Sequence, residues 1–244
     1  MRRPLWIALL ATTAFAVIVL TRLPASWVFP RSPLFACGGV EGSVWSGTCA
    51  GLTVQHFELG NLSWDLAPLR ALTGTLAAHV ELSDGPVSAR SEVDFGFGGG
   101  VTLRNLVADL PLDPARVPRV PPQLRGTVHT ELALVRLRHG DLTDLKGRIE
   151  AHDLLQRTGR VTPIGSYALT FPGNGSGDPV GTLQDLGGPL AVQGTLRLMH
   201  GPAYILQAEV AARADAAPEL VSDLQFLGSP DAAGRRAFSL AGTL

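Results

Sequence analysis

From residue 75 onward, apolar and polar side chains take turns one residue at a time. Leu76, Ala78, Val80 and Leu82 share one side of the chain, with Thr75, Ala77, His79 and Glu81 on the other. Tyr204, Leu206, Ala208, Val210 and Ala212 repeat the pattern against Gln207, Glu209 and Arg213, and Val128, Leu132 and Leu134 repeat it against His129 and Glu131. A period of two puts successive side chains on opposite faces of an extended strand, so these segments predict antiparallel strands with one dry face and one wet face. Turn sequences separate them: Ser83-Asp84-Gly85-Pro86, His139-Gly140-Asp141, Gly187-Gly188-Pro189 and His200-Gly201-Pro202.

A short phrase recurs beside the alternation, of the form apolar, any residue, glycine, small or polar, apolar. It occurs at Val40–Val44, Leu72–Leu76, Leu124–Val128, Leu145–Ile149, Val192–Leu196 and Leu240–Leu244. The intervals are uneven, which excludes a solenoid of fixed period. The glycine predicts a strand that bends, or one that a neighbouring backbone approaches closely. Two helical stretches are expected: one or two turns within Asp65–Leu72, starting near Pro68, and Ala216–Leu227 with Pro218 in its first turn and Gly228 closing it. Leu110–Pro122 and Phe171–Pro179 read as proline-bearing connectors, the first a candidate boundary within the β region at 110–122.

The N-terminus constrains location. Arg2 and Arg3 precede an apolar run from Leu5 to Leu20. At about 1.5 Å per residue the run covers roughly 25 Å, close to a ~30 Å hydrocarbon core once Trp6 and Trp27 flank it. The arginines predict a cytoplasmic N-terminus at residues 1–4, a transmembrane anchor at 5–22, a periplasmic stalk at 23–35 and a periplasmic β domain at 36–244. Two rivals fit less well. A cleaved signal peptide needs small residues where Thr21-Arg22-Leu23-Pro24 stands, and a lipid-attachment box at Leu34–Cys37 carries the bulky Phe35 and lies far beyond the run. Cys37 and Cys49, near neighbours in an oxidising compartment, are expected to form a structural disulfide. Their spacing is not that of a metal or redox pair, and no histidine lies between them.

Hydrophobic residues make up 45% of the chain, enough for a core, and the net charge of −1 without a basic stripe argues against nucleic acid. The sequence carries no catalytic or cofactor motif that stands above chance. His56, His79, His129, His139, His152 and His200 are dispersed; Ser46 has no base near it in sequence. Gly96–Gly100 lacks the lysine of a phosphate loop, and Asn174–Asp178 lacks the carboxylates of a calcium loop. Trp45 and Trp64 read as core or groove anchors. No cofactor and no metal are expected, and the chain is not read as an enzyme.

Several of these pieces stand in a fixed order: the anchor, Gly42-Ser43-Val44-Trp45-Ser46-Gly47, then Leu62-Ser63-Trp64-Asp65-Leu66-Ala67-Pro68 followed by the glycine phrase. Later come Gly187-Gly188-Pro189-Leu190 with Gly194-Thr195-Leu196, Leu227-Gly228-Ser229-Pro230-Asp231 ahead of Gly234-Arg235, and Leu240–Leu244. In this the sequence resembles the type II secretion system protein N family, over most of the chain after the anchor. The resemblance implies a non-enzymatic, single-pass inner-membrane accessory subunit of the machine that exports folded proteins across the outer membrane. Its implied partners are other secretion subunits, of the inner-membrane platform or the secretin, and it carries over no residue-level role. The fold expected is mainly β: one transmembrane helix, then a curved antiparallel or partly closed sheet with few short helices. The alternative is a lipid-handling or envelope-maintenance protein with an apolar β groove.

Overall fold

The computed structural model describes residues 22–27 and 35–243 apart from 56, 69, 71–73, 97, 118–119, 159, 174–176 and 202, together with residues 11, 12, 15 and 19. These last four are helical, while the rest of the expected anchor, apart from Arg22, lies outside the described residues. Among the described residues no helix is long and apolar enough to cross a membrane.

The expected β region forms a single antiparallel sheet. Its strands are β1 (Phe35–Ala36), β2 (Gly39–Gly42), β3 (Ser46–Val54), β4 (Phe57–Ala67), β5 (Thr75–Ser83), β6 (Ser88–Gly96) and β7 (Gly100–Leu112). They continue as β8 (Leu124–Arg138), β9 (Asp141–Thr158), β10 (Arg160–Pro172), β11 (Val180–Gly187), β12 (Leu190–Leu198), β13 (Ala203–Ala212) and β14 (Arg236–Thr243). From β3 onward each strand pairs with the next in sequence, so the sheet is an open meander. β1 and β2 lie end to end along β3, one edge strand interrupted at Cys37 and Gly38. There the Gly38 N–H donates to the Ala50 carbonyl (2.8 Å), and Cys37 is bonded to Cys49. In the chain-entropy model a loop of this length contributes about 3 kcal/mol.

The glycine phrases mark close approaches. A Cβ on Gly147 would lie 2.3 Å from the Glu131 carbonyl oxygen of the neighbouring strand, at a φ of +144°, and one on Gly194 would lie 2.4 Å from that of Gln207. Elsewhere a glycine makes room for a large side chain opposite it. Phe171, 2% exposed, lies over Gly181, where a Cβ would meet its ring at 2.7 Å. Phe171 centres the larger core cluster with Leu132, Leu145 and Leu198, against which Leu106, Val135, Ile149 and Tyr204 pack.

Two lines of irregularity cross the sheet. One runs through Asn105 (φ +51°) and Ala133 to Gly147, where the β6–β7 and β8–β9 registers shift; the other runs through Gly126, Asp153 (φ +52°) and Gly165. A bulge bends its strand and reverses the face of everything beyond it. Leu134 is therefore not on the face of Leu132 as the bare alternation requires. It opposes Arg104 and Lys146, while Val135 joins Leu132 in the core.

Three further expectations change. Asp65–Ala67 belongs to β4, not to a helix, because Ser46 pairs with Asp65 and Ala67 with Ala77, while Pro68 and Arg70 beyond it are in 3₁₀ conformation, as the turn expected to start near Pro68 requires. Leu110–Leu112 and Phe171–Pro172 are strand ends, not connectors. β7 and β8 pair directly with each other across the proline-rich segment. The second helix stands as expected: α1 (Pro218–Leu224) runs into a 3₁₀ turn at Gln225–Leu227, and its Leu220 packs on Leu190 and Val210.

Gly181→Ala is expected to destabilise the fold by about 1–3 kcal/mol through overpacking against Phe171. In a Phe171→Leu background the same change should cost markedly less, since contacting residues couple. Equal costs in thermal or urea unfolding of the four proteins would show that the ring does not lie on that glycine.

Candidate functional site

Directly opposed residues on neighbouring strands share a face, so the register traces rows across the whole sheet. One row starts at the first edge with Val40, Cys49, Leu62 and Leu82, continues through Ala89, Ala108, Thr130 and Ile149, and ends with Leu169, Leu183, Gly194, Ala208 and Phe238. The row one residue along lies on the opposite face. It reads Glu41, Thr48, Ser63 and Glu81, then Arg90, Val107, Glu131 and Arg148, then Thr170, Thr182, Thr195, Gln207 and Ser239. A step of one residue turns a row with a single polar side chain into a row with a single apolar one. The sheet has an apolar and a polar face from edge to edge.

The sequence-singled residues fall into this frame. Leu76, Val80, Tyr204, Leu206 and Val210 are on the apolar face, Val210 buried and the others half-buried. Cys49 is fully buried in the apolar row, so the disulfide sits on that face at the first edge. Gly42–Gly47 forms the β2–β3 turn, in which the Ser43 hydroxyl oxygen accepts from the Trp45 and Ser46 N–H groups (3.2 Å each). Trp64 covers Gly47 as Phe171 covers Gly181, and its indole N–H donates to the Val44 carbonyl (3.1 Å). His79 and His129 are on the polar face, as expected. His56 and residues 174–176 of the Asn174–Asp178 loop lie outside the described residues.

The polar face carries several charged contacts, some along one strand and one between strands. The His129 imidazole contacts Asp109 (2.6 Å) and Glu131 (3.2 Å). Hydrogen bonds to Asp109 first and Glu131 second raise its pKa above 6.5. On the adjacent strand Glu150 accepts from Arg148 (2.5 Å) and contacts His152 (2.8 Å), and these bonds lower its carboxyl pKa, Arg148 contributing most. On the other face, where register places Asp185 two residues beyond Leu183, Asp185 is pushed up by burial but held lower by Arg213 and the Val192 and Gly187 N–H groups, with a net lowering. Beside it burial, and then the Asp185 charge, push Tyr167 up to about 12. The Asp109–His129 and Asp185–Arg213 contacts tie separate strands or hairpin ends together, whereas those of Glu131 and Glu150 run along a single strand. Among the described residues no group of histidine, cysteine and carboxylate side chains is placed to hold a metal ion. Over β11–β14 the polar face forms an open cavity of about 830 Å³ whose lining includes Gln184, Gln193, Thr195, Gln207, Glu209 and Ser239. Amides and hydroxyls in that setting can hydrogen-bond a polar surface.

The sequence model of the family described as type II secretion system (T2SS), protein N, matches residues 33–239. The chain belongs to this family. A type II secretion system protein N from Aeromonas hydrophila is 27% identical over 258 aligned positions, covering 96% of each chain. A second protein of that name, from Vibrio cholerae serotype O1, is 33% identical over 88 residues, so that this chain spans about a third (35%) of the Vibrio protein's length. No solved structure matches the chain. The family match runs from just before β1 into β14, so the protein N family signature coincides with the amphipathic sheet.

The His129 contacts have a defined pH signature. A raised folded pKa contributes stability that is fully present below the unfolded value of about 6.5 and is lost as pH rises through the folded value. His129 is half exposed, so the contribution is under about 1 kcal/mol. His129→Gln should therefore lower the urea midpoint relative to wild type more at pH 5.5 than at pH 8.5. A larger deficit at pH 8.5 would contradict the pairing.

Proposed function

We propose that the chain is a non-enzymatic accessory subunit of the type II secretion system. Segment 5–22 anchors it in the inner membrane, and its β domain lies in the periplasm. The polar face and the strand edges make the contacts with other secretion subunits, of the inner-membrane platform or the secretin. The observation that carries this reading is the family match, which spans nearly the entire sheet. The two arginines before the apolar run and the highly exposed Trp27 suit a single-pass anchor with its ring at the membrane interface. A sheet whose wet face is lined by hydroxyls, amides and paired charges suits protein contact without a cofactor.

One observation favours a second reading. The apolar face is not fully covered: Phe95 is 43% exposed and Leu240 51%. An apolar surface of that kind suits lipid tails, which makes lipid handling the alternative.

Photo-crosslinkers placed singly in cells at Thr182 and Gln207 on the polar face, and at Val80 and Leu206 on the apolar face, separate the two. Expected are adducts with secretion subunits from the polar positions, in protein that stays in the carbonate-washed membrane pellet. Lipid adducts from the apolar positions, with no secretion-subunit adduct from the polar ones, would overturn the proposal in favour of lipid handling.

A further inference from the structure

The two edges of the sheet are unlike. The first, β1 and β2, is interrupted at Cys37 and Gly38 and tied to β3 by the disulfide. It is also partly covered: Pro24 bridges Ser43, and the Val44 N–H donates to the Leu23 carbonyl (2.9 Å). β14 has none of these features. It pairs with β13 without a register shift, from Val210 opposite Arg236 to Ala203 opposite Thr243. Its other side pairs with nothing among the described residues. It contains no proline, lysine or acidic residue, and its one charged residue, Arg236, folds back onto the Gly228 carbonyl. Unprotected edges of this kind are templates for another strand.

The side chains point the same way. The apolar rows that cross the sheet end here, on Phe238 and on Leu240, which is half exposed. The 3₁₀ turn lying against β14 presents Phe226 at 89% exposure. Bare backbone and uncovered apolar groups thus coincide at one edge.

The strand that fits is β14 itself. We propose that β14 is a dimer edge, at which two copies of the chain join β14 to β14, antiparallel, about a two-fold axis through Ser239. In that register Phe238 opposes Leu240 of the second copy, Ala237 opposes Ala241 and Arg236 opposes Gly242. The apolar face continues into the apolar face and the polar into the polar, which a shift by one residue would destroy. No like charges oppose each other, and the arginine faces a glycine. A closed two-fold contact uses up both free edges, so assembly stops at two. This inference goes beyond the proposed function and does not depend on it.

Ser239 is exposed on the polar face opposite Gln207, so replacing it leaves the core untouched. Full-length Ser239→Cys in membranes should form a disulfide-linked dimer on mild oxidation, since both native cysteines are already bonded to each other. Thr195→Cys, exposed on the same face but two strands inward, should not. In detergent, wild type should sediment as a dimer. Ser239→Lys and Ser239→Glu should each weaken it at least ~10-fold, because like charges meet across the axis. An equimolar mixture of the two should recover the dimer. Monomeric wild type, a dimer unaffected by Ser239→Lys, or a Ser239→Cys protein that crosslinks only to a different protein would each overturn the two-fold edge.

Discussion

Everything in this molecule depends on an antiparallel register kept in phase across the whole sheet. Because side chains alternate faces at every residue, slipping one strand by one position would put its apolar set into water and its charges into the core. The pairing from Val40 to Phe238 and, one step along, from Glu41 to Ser239 shows no such slip. Burial then follows from register: Ala208 and Val210 are buried, while Gln207 just before them and its opposed Thr195 are exposed.

Holding that phase over strands as long as β8 and β9 requires the sheet to bend without losing alignment. The bulges supply the bends, and they come aligned, Asn105 beside Ala133 and Gly126 beside Asp153, so that neighbouring strands change face together. The glycines serve a second purpose. Gly181 under Phe171 and Gly47 under Trp64 let one large ring fill the space of two positions, which thickens the core beyond what the short α1 covers. The disulfide acts at the first edge, where the shortest strands have least pairing to hold them.

Alternation at Leu76–Leu82 and Tyr204–Ala212 makes the strands, their faces and the mainly β class legible in the sequence, and the helix after Pro218 is legible from its punctuation. Bulges are not, because a single extra residue such as Ala133 has no composition of its own, and so the face of Leu134 is misread. Prolines mislead for a specific reason. Pro111 opposes Thr127 on β8, but the β6 ladder stops at Ser88 opposite Asp109, so the side of Pro111 away from β8 has no strand to donate to. Pro163 and Pro172 likewise lie beyond the β10–β11 ladder, which ends at Ser166 and Thr170. A proline at such a position interrupts nothing, yet in sequence it reads as a breaker, which hides Phe171 among the connectors. The contact of Asp109 with His129 escapes the sequence because register alone brings β7 and β8 side by side.

The type II secretion system protein N family is matched over this open amphipathic sheet, and its two faces are what the proposed role draws on. The phase of the sheet can be read directly by thiol accessibility of single cysteines placed along β8 and β13 of the otherwise native chain. Expected along β13 is fast labelling at Gln207 and slow labelling at Ala208 and Val210. Along β8 the pattern should jump in phase at the bulge, with Leu132 and Val135 both protected and Leu134 open. An unbroken alternation through residue 133, or protection repeating every three to four residues, would contradict the aligned-bulge sheet on which the whole description rests.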